Sequence, residues 1–138
     1  ELIASVVSYG NECAFCTAAH SAAASVLLND NSIVEKVKYE PDKAPVSDKM
    51  KALLNIARAT QKSGKLVTKE MVDEAKAQGA TDVELHDTVL IAALFSLYNR
   101  YVDGLASVTP ADPAFYNRLA HILKDKGYLP SENRYAAL

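Results

Sequence analysis

The chain has 138 residues, 49% of them hydrophobic, with 15 basic and 17 acidic side chains and a formal net charge of −2. That length bounds one domain with a modest core, and the apolar content is too high for disorder. The charge balance gives no footprint for a nucleic-acid partner, and no stretch approaches the ~20 continuous apolar residues of a membrane span.

Gly and Pro number five each, and Ala, Leu, Lys and Glu predominate, which favours helices. The first segment, Glu1 to Tyr9, sets Leu2, Ile3, Val6 and Val7 on one face and stops at Gly10. Asn11 is the expected cap of a second helix from about Glu12 to Leu28, closed by Asn29-Asp30-Asn31. A short helix covers Ser32 to Tyr39, and Pro41 and Pro45 bracket the connection after it. The run Glu35 to Lys43 mixes acids and lysines and reads as a solvated surface.

Ser47 opens a helix with Met50, Leu53, Leu54 and Ala57 inward, stopping at Gly64. Thr68 opens another, ended by Gly79. Thr81 with Glu84 three residues on is a capping box, and it starts the longest apolar segment, running to Gly104. Asp112-Pro113 supplies a cap and an N1 proline for a last helix that ends at Gly127. These signals predict an all-α domain of about seven helices over residues 1–128. Leu129 to Leu138 has no period and is expected to form an arm.

The only two cysteines lie together in Cys13-Ala-Phe-Cys16, and His20 follows four residues later. From Leu2 to Asn29 the only charged residue is Glu12, with His20 counted neutral. A helix capped by Asn11 would put both thiols near free backbone N–H groups, which favour a thiolate. Positions three and four apart share a face, so His20 is placed to carry a proton for Cys16. Nucleophile, second thiol and proton carrier suit peroxide reduction through a sulfenic acid, and equally thiol–disulfide exchange. A zinc site is the inorganic alternative. One CxxC with a single nearby His lacks the ligand spacing of ordinary zinc modules, so no metal is expected.

The run NECAFCTAAHS, with Glu1 twelve residues before Cys13, resembles the AhpD-like, or carboxymuconolactone decarboxylase-like, superfamily. The resemblance is closest to its peroxidase-related branch and continues through ALLNIARATQ, the turn at Gly79 and DTVLIAALFSLYNRYVDGL. It implies an all-helical AhpD-like domain that assembles as a homo-oligomer, trimer or hexamer. It also implies Cys16 as the peroxidatic thiol and Cys13 as the more accessible resolving thiol, with His20 and Glu1 as a proton relay. The implied substrate is hydrogen peroxide or a small organic hydroperoxide, and a dithiol or lipoyl-like donor would restore the pair. Phe15 departs from the pattern, standing where the alkylhydroperoxidase branch has an additional histidine. Members named for lactone decarboxylation generally lack the cysteine pair. A native segment before Glu1 is expected, because a loose terminus specifies a relay poorly.

Other readings are structural. Asn99-Arg100 resembles a pair near the end of the long family helix, with Asn99 bonding the cysteine helix and Arg100 an acid. His86 and His121 read as surface or interface residues. Phe95, Tyr98 and Tyr101 read first as core or oligomer packing and second as a pocket wall. Tyr9 is the expected residue at the mouth of a site. No cofactor site is apparent, and the opening ELIASVVSYG lacks the flank of a signal peptide. A cytoplasmic thiol peroxidase is the leading expectation. A protein or lipoyl disulfide oxidoreductase comes next, and a noncatalytic thiol sensor or structural oligomer last.

Overall fold

The computed structural model describes residues 1–128, so the expected arm from Leu129 to Leu138 lies outside the described residues. The described residues form seven α-helices without a strand: α1 (Leu2–Gly10), α2 (Ala14–Leu28), α3 (Asn31–Tyr39), α4 (Asp48–Lys62), α5 (Lys69–Ala77), α6 (Asp82–Gly104) and α7 (Pro113–Lys126). Two short 3-10 turns, Pro41–Lys43 and Gly64–Leu66, join α3 to α4 and α4 to α5. The all-helical expectation holds, and so does the number of helices.

Local chemistry starts most of these helices where the sequence predicts. Side-chain oxygens of Asp30, Ser47, Thr68, Thr81 and Asp112 accept backbone N–H groups at the starts of α3 to α7. At α6 the Thr81 hydroxyl accepts the Glu84 N–H at 3.1 Å, while the Glu84 carboxylate accepts the Thr81 N–H at 2.8 Å. The same carboxylate holds the Lys49 ammonium at 2.7 Å, tying the start of α6 to α4.

α1 is the hub. It packs on α2, α3, α4 and α6, while α2 rests between α1 and α7. Ala4 and Val7 of α1 meet Ala57 of α4 and Ala92 and Phe95 of α6, and the small side chains let three helices approach closely. Val6 turns instead to Val37, Ala44 and Leu54, and a further cluster joins Leu53 and Ile56 to Ala75 under α5. Burying a Leu, Ile or Val side chain contributes about 1.5–3 kcal/mol, so these clusters supply most of what holds the helices together.

One polar network runs through this apolar packing. Asn99 of α6 is fully buried; its amide donates to the Ser8 hydroxyl at 3.0 Å and its carbonyl accepts the Asn11 amide at 2.8 Å. Gln61, near the end of α4, donates to the Asn11 carbonyl oxygen at 2.7 Å and to the Gly10 backbone carbonyl at 3.1 Å. Asn99 thus bonds α1 and the turn after it, not the cysteine helix. Arg100 donates to the Ser96 carbonyl at 2.6 Å rather than pairing with an acid among the described residues. The Glu35 to Lys43 surface also has an exception. The Lys38 ammonium is buried and bonds Glu35 at 2.8 Å and the Ser21 hydroxyl at 3.1 Å.

Two stability effects follow. Asn99→Leu keeps the volume but strands the Ser8 and Asn11 polar groups, so urea unfolding should show a loss of about 3 kcal/mol. A loss below about 1 kcal/mol would mean that neighbouring groups replace the network. The Lys49 ammonium, helped by the Thr81 N–H, holds the Glu84 carboxyl at about 2, below its ordinary 4.5. Its stabilisation is complete above pH 4.5 and is lost as pH falls through about 2, so Glu84→Gln should flatten the acid limb of stability in that window.

Candidate active site

The turn between α1 and α2 sets the sulfurs. Asn11 follows the end of α1, and its side chain is occupied by Asn99 and Gln61, so it does not cap α2. Glu12 takes a left-handed φ of 59°, and the Cys13 N–H donates back to the Ser8 carbonyl at 3.1 Å. Cys13 itself stands at the cap position of α2, two residues later than the expected Asn11, and Cys16 falls in the first turn.

Both cysteines are free thiols, with Cys13 0% and Cys16 4% exposed. Cys13 is therefore not the more accessible of the two: the turn that places it at the cap also packs it inside. Burial pushes the Cys13 thiol up to about 12; the neighbouring Cys16 thiol adds to this, the Cys16 backbone N–H opposes it, and Asp103 adds again. Cys13 is consequently held protonated at neutral pH.

His20 lies one helical turn beyond Cys16. Its Nδ1 is 2.8 Å from Oε2 of Glu1, and both side chains are only 12% exposed. The two residues that the sequence reading paired across nineteen positions thus meet, because α1 and α2 pack side by side. The edge of the His20 ring meets Phe95 at a centroid distance of 4.4 Å. Burial alone would raise the Glu1 carboxyl; hydrogen bonds from His20 and Tyr128 outweigh it and hold the carboxyl below its ordinary value.

Tyr128 was not foreseen. Its hydroxyl donates to Glu1 Oε1 and its oxygen lies 3.4 Å from His20 Nδ1. No sequence signal marks it, since 108 residues separate it from His20. Beside this group lies a cavity of about 330 Å³ lined by Glu1, Ala4, Ile91, Leu94, Phe95, Tyr98 and Tyr128. Phe95 and Tyr98 therefore serve as pocket wall as well as packing. Tyr9 lies instead against Tyr39, with ring centroids 5.0 Å apart.

Phe15 points to α7, its ring 6.5 Å from Phe115 and 6.1 Å from Tyr116, so it anchors the helix that covers α2. His86 is exposed beside Asp87 at 3.1 Å, and His121 is exposed. Among the described residues no three His, Cys, Asp or Glu side chains converge as a metal site, and no helix is long and apolar enough to cross a membrane.

No protein-family model matches the sequence, and no curated protein does. Solved structures do match its fold. One is an uncharacterized peroxidase-related protein from Silicibacter sp. TM1040, at 24% identity and a TM-score of 0.75, aligned over 84% of this chain and 59% of the other. Another, described as an alkylhydroperoxidase AhpD core and an uncharacterized peroxidase-related protein, comes from Ralstonia eutropha JMP134. It matches at 22% identity and a TM-score of 0.76, over 86% of this chain and 61% of the other. The chain thus spans about three-fifths of the length of these neighbours. It carries the helical fold of the AhpD-like, peroxidase-related proteins.

Proposed function

We propose that the chain is a cytoplasmic thiol-dependent peroxidase acting on hydrogen peroxide or small organic hydroperoxides. The observation that carries this reading is the Glu1–His20 hydrogen bond, held one helical turn from Cys16 and beside an apolar cavity. In the proposed reaction the Cys16 thiolate attacks one peroxide oxygen, the O–O bond breaks, and the alcohol or water leaves with a proton from His20. The resulting Cys16 sulfenic acid condenses with the Cys13 thiol, releasing water and forming the disulfide. An external dithiol, of lipoyl-like or protein type, takes up the disulfide and returns two thiols. His20 and Glu1, with a water, exchange the protons.

Cys16 is assigned the first attack because Cys13 is the thiol that burial keeps protonated. The burial of both sulfurs also favours a small peroxide over a folded protein as the oxidising substrate. A protein disulfide would need the α1–α2 turn to open before exchange. Phe15 gives the site one proton-transferring side chain fewer than the alkylhydroperoxidase pattern, so the proposed relay rests on His20 and Glu1.

Self-association belongs to the same reading. Leu90, Leu94, Leu97 and Tyr101 form a row along α6 at four- and three-residue steps, all exposed. An apolar row of this length is a docking face for a second copy. Leu94 also lines the cavity, so a second copy seated there would border the site.

Mass mapping of reduced protein exposed to a peroxide panel should show a Cys13–Cys16 disulfide in the wild type. Cys13→Ser should stop at a Cys16 sulfenic acid, and Cys16→Ser should lose peroxide consumption. His20→Gln should lower the peroxide kcat/KM by about 100-fold, the scale of one acid–base group. Peroxide turnover that survives Cys16→Ser would sink the assignment, whereas disulfide exchange without peroxide turnover would favour an oxidoreductase. By sedimentation velocity the wild type should run as a trimer or hexamer, and Leu97→Glu should shift it towards monomer.

A further inference from the structure

We propose that Tyr128 is a positioning residue of this site: its phenol fixes the Glu1 carboxylate and thereby holds His20 as the Nδ1–H tautomer. The inference rests on the peroxidase reading for its consequence in turnover, but not for its geometry. An ionised carboxylate only accepts hydrogen bonds, so the contact with Glu1 Oε1 must use the phenol's single hydrogen. The phenol oxygen then faces His20 Nδ1 at 3.4 Å with a lone pair. Glu1 Oε2 faces the same nitrogen at 2.8 Å as a second acceptor. Both acceptors require Nδ1 to carry the hydrogen, which leaves the lone pair of the neutral ring on Nε2.

The packing supports this. The Tyr128 ring lies nearly parallel to the imidazole, at 19° and 6.5 Å between centroids, while Phe95 meets it edge-on. Glu1 thus has one oxygen for Tyr128 and one for His20, and rotation of the carboxylate would break both bonds. The other titratable side chain lining the cavity with Glu1 and Tyr128 is the Tyr98 phenol of α6. Burial, then the Glu1 hydrogen bond and charge, pushes the Tyr128 hydroxyl above its ordinary value, so it stays a donor throughout the neutral range.

The decisive variant is Tyr128→Phe, which removes only the hydroxyl from a side chain 64% exposed. Two readouts are taken on the full chain. In the reduced protein without peroxide, ¹⁵N-histidine NMR should show His20 as Nδ1–H in the wild type, its signal identified by its loss in His20→Gln. In Tyr128→Phe that signal should shift part of the way towards the tautomer mixture of free imidazole, because Glu1 Oε2 remains as an acceptor but loses its anchor. In peroxide turnover, kcat/KM should fall roughly tenfold, the scale of one hydrogen bond to a charged group. Its acid limb should move to higher pH, because the Glu1 carboxylate has lost a donor. Tyr128→Leu should match Tyr128→Phe if the hydroxyl is what matters, and circular dichroism checks that both remain folded. An unchanged His20 signal with an unchanged pH profile in Tyr128→Phe overturns the inference. Absence of peroxide turnover in the wild type overturns the peroxidase reading instead, and leaves the NMR comparison to judge Tyr128.

Discussion

The buried carboxamide of Asn99 is the constraint on which the rest of the site depends. It reaches from α6 to Ser8 and Asn11, and Gln61 of α4 grips the same turn from the other side. A buried amide is costly unless its donors and acceptors are matched, so this turn has one low-energy arrangement rather than several. That arrangement gives Glu12 its left-handed φ, returns the Cys13 N–H to the Ser8 carbonyl and starts α2 at Ala14. Moving the start of α2 by one residue would rotate Cys16 and His20 by about 100° about the helix axis. His20 would then no longer face Glu1.

The electrostatics build on that frame. Glu1 and His20 are a charged or chargeable pair in an environment of Ala4, Phe95 and Tyr98, where an unpartnered ionised group would be disfavoured. Both carboxylate oxygens of Glu1 are engaged, one by the imidazole and one by the phenol, and this offsets the cost of burial. Burial raises Cys13 as well, and with no cation beside it among the described residues its thiol is held in the neutral form. One apolar interior therefore yields an ionised carboxylate and a protonated thiol within the same pair of helices. Burial opposes the charged form of both, and hydrogen-bond donors outweigh it only at Glu1.

Much of this was legible in the sequence where the controlling forces are local. Ser47, Thr68, Asp112-Pro113 and the Thr81–Glu84 box act within four residues, and each starts a helix as read. The pairing of Glu1 with His20 was legible only through resemblance, and the packing of α1 on α2 brings the two side chains together. Where tertiary contacts decide, the reading failed. Asn11 has the composition of a helix cap, but its amide is taken by Asn99, 88 residues away. The resemblance implied Cys13 as the more accessible thiol, but the chain buries it completely, and the cover it receives at the end of α1 has no local signature. Tyr128 carries no pattern at all, since a tyrosine just past a terminating glycine is usually solvated.

The burial of the sulfurs also bears on how the proposed cycle could close. A peroxide is small, but a reducing dithiol must bring a sulfur to within bonding distance of a disulfide at the α1–α2 turn. With Cys13 fully buried, the resting packing does not admit it. The α1–α2 turn beside the pair is tied down by hydrogen bonds rather than by large apolar side chains. Hydrogen-bonded turns with exposed flanks such as Glu12 and Ala14 open at lower cost than the Ala–Val–Phe packing beneath them. Access for the donor therefore falls to this hydrogen-bonded turn rather than to the apolar packing beneath it.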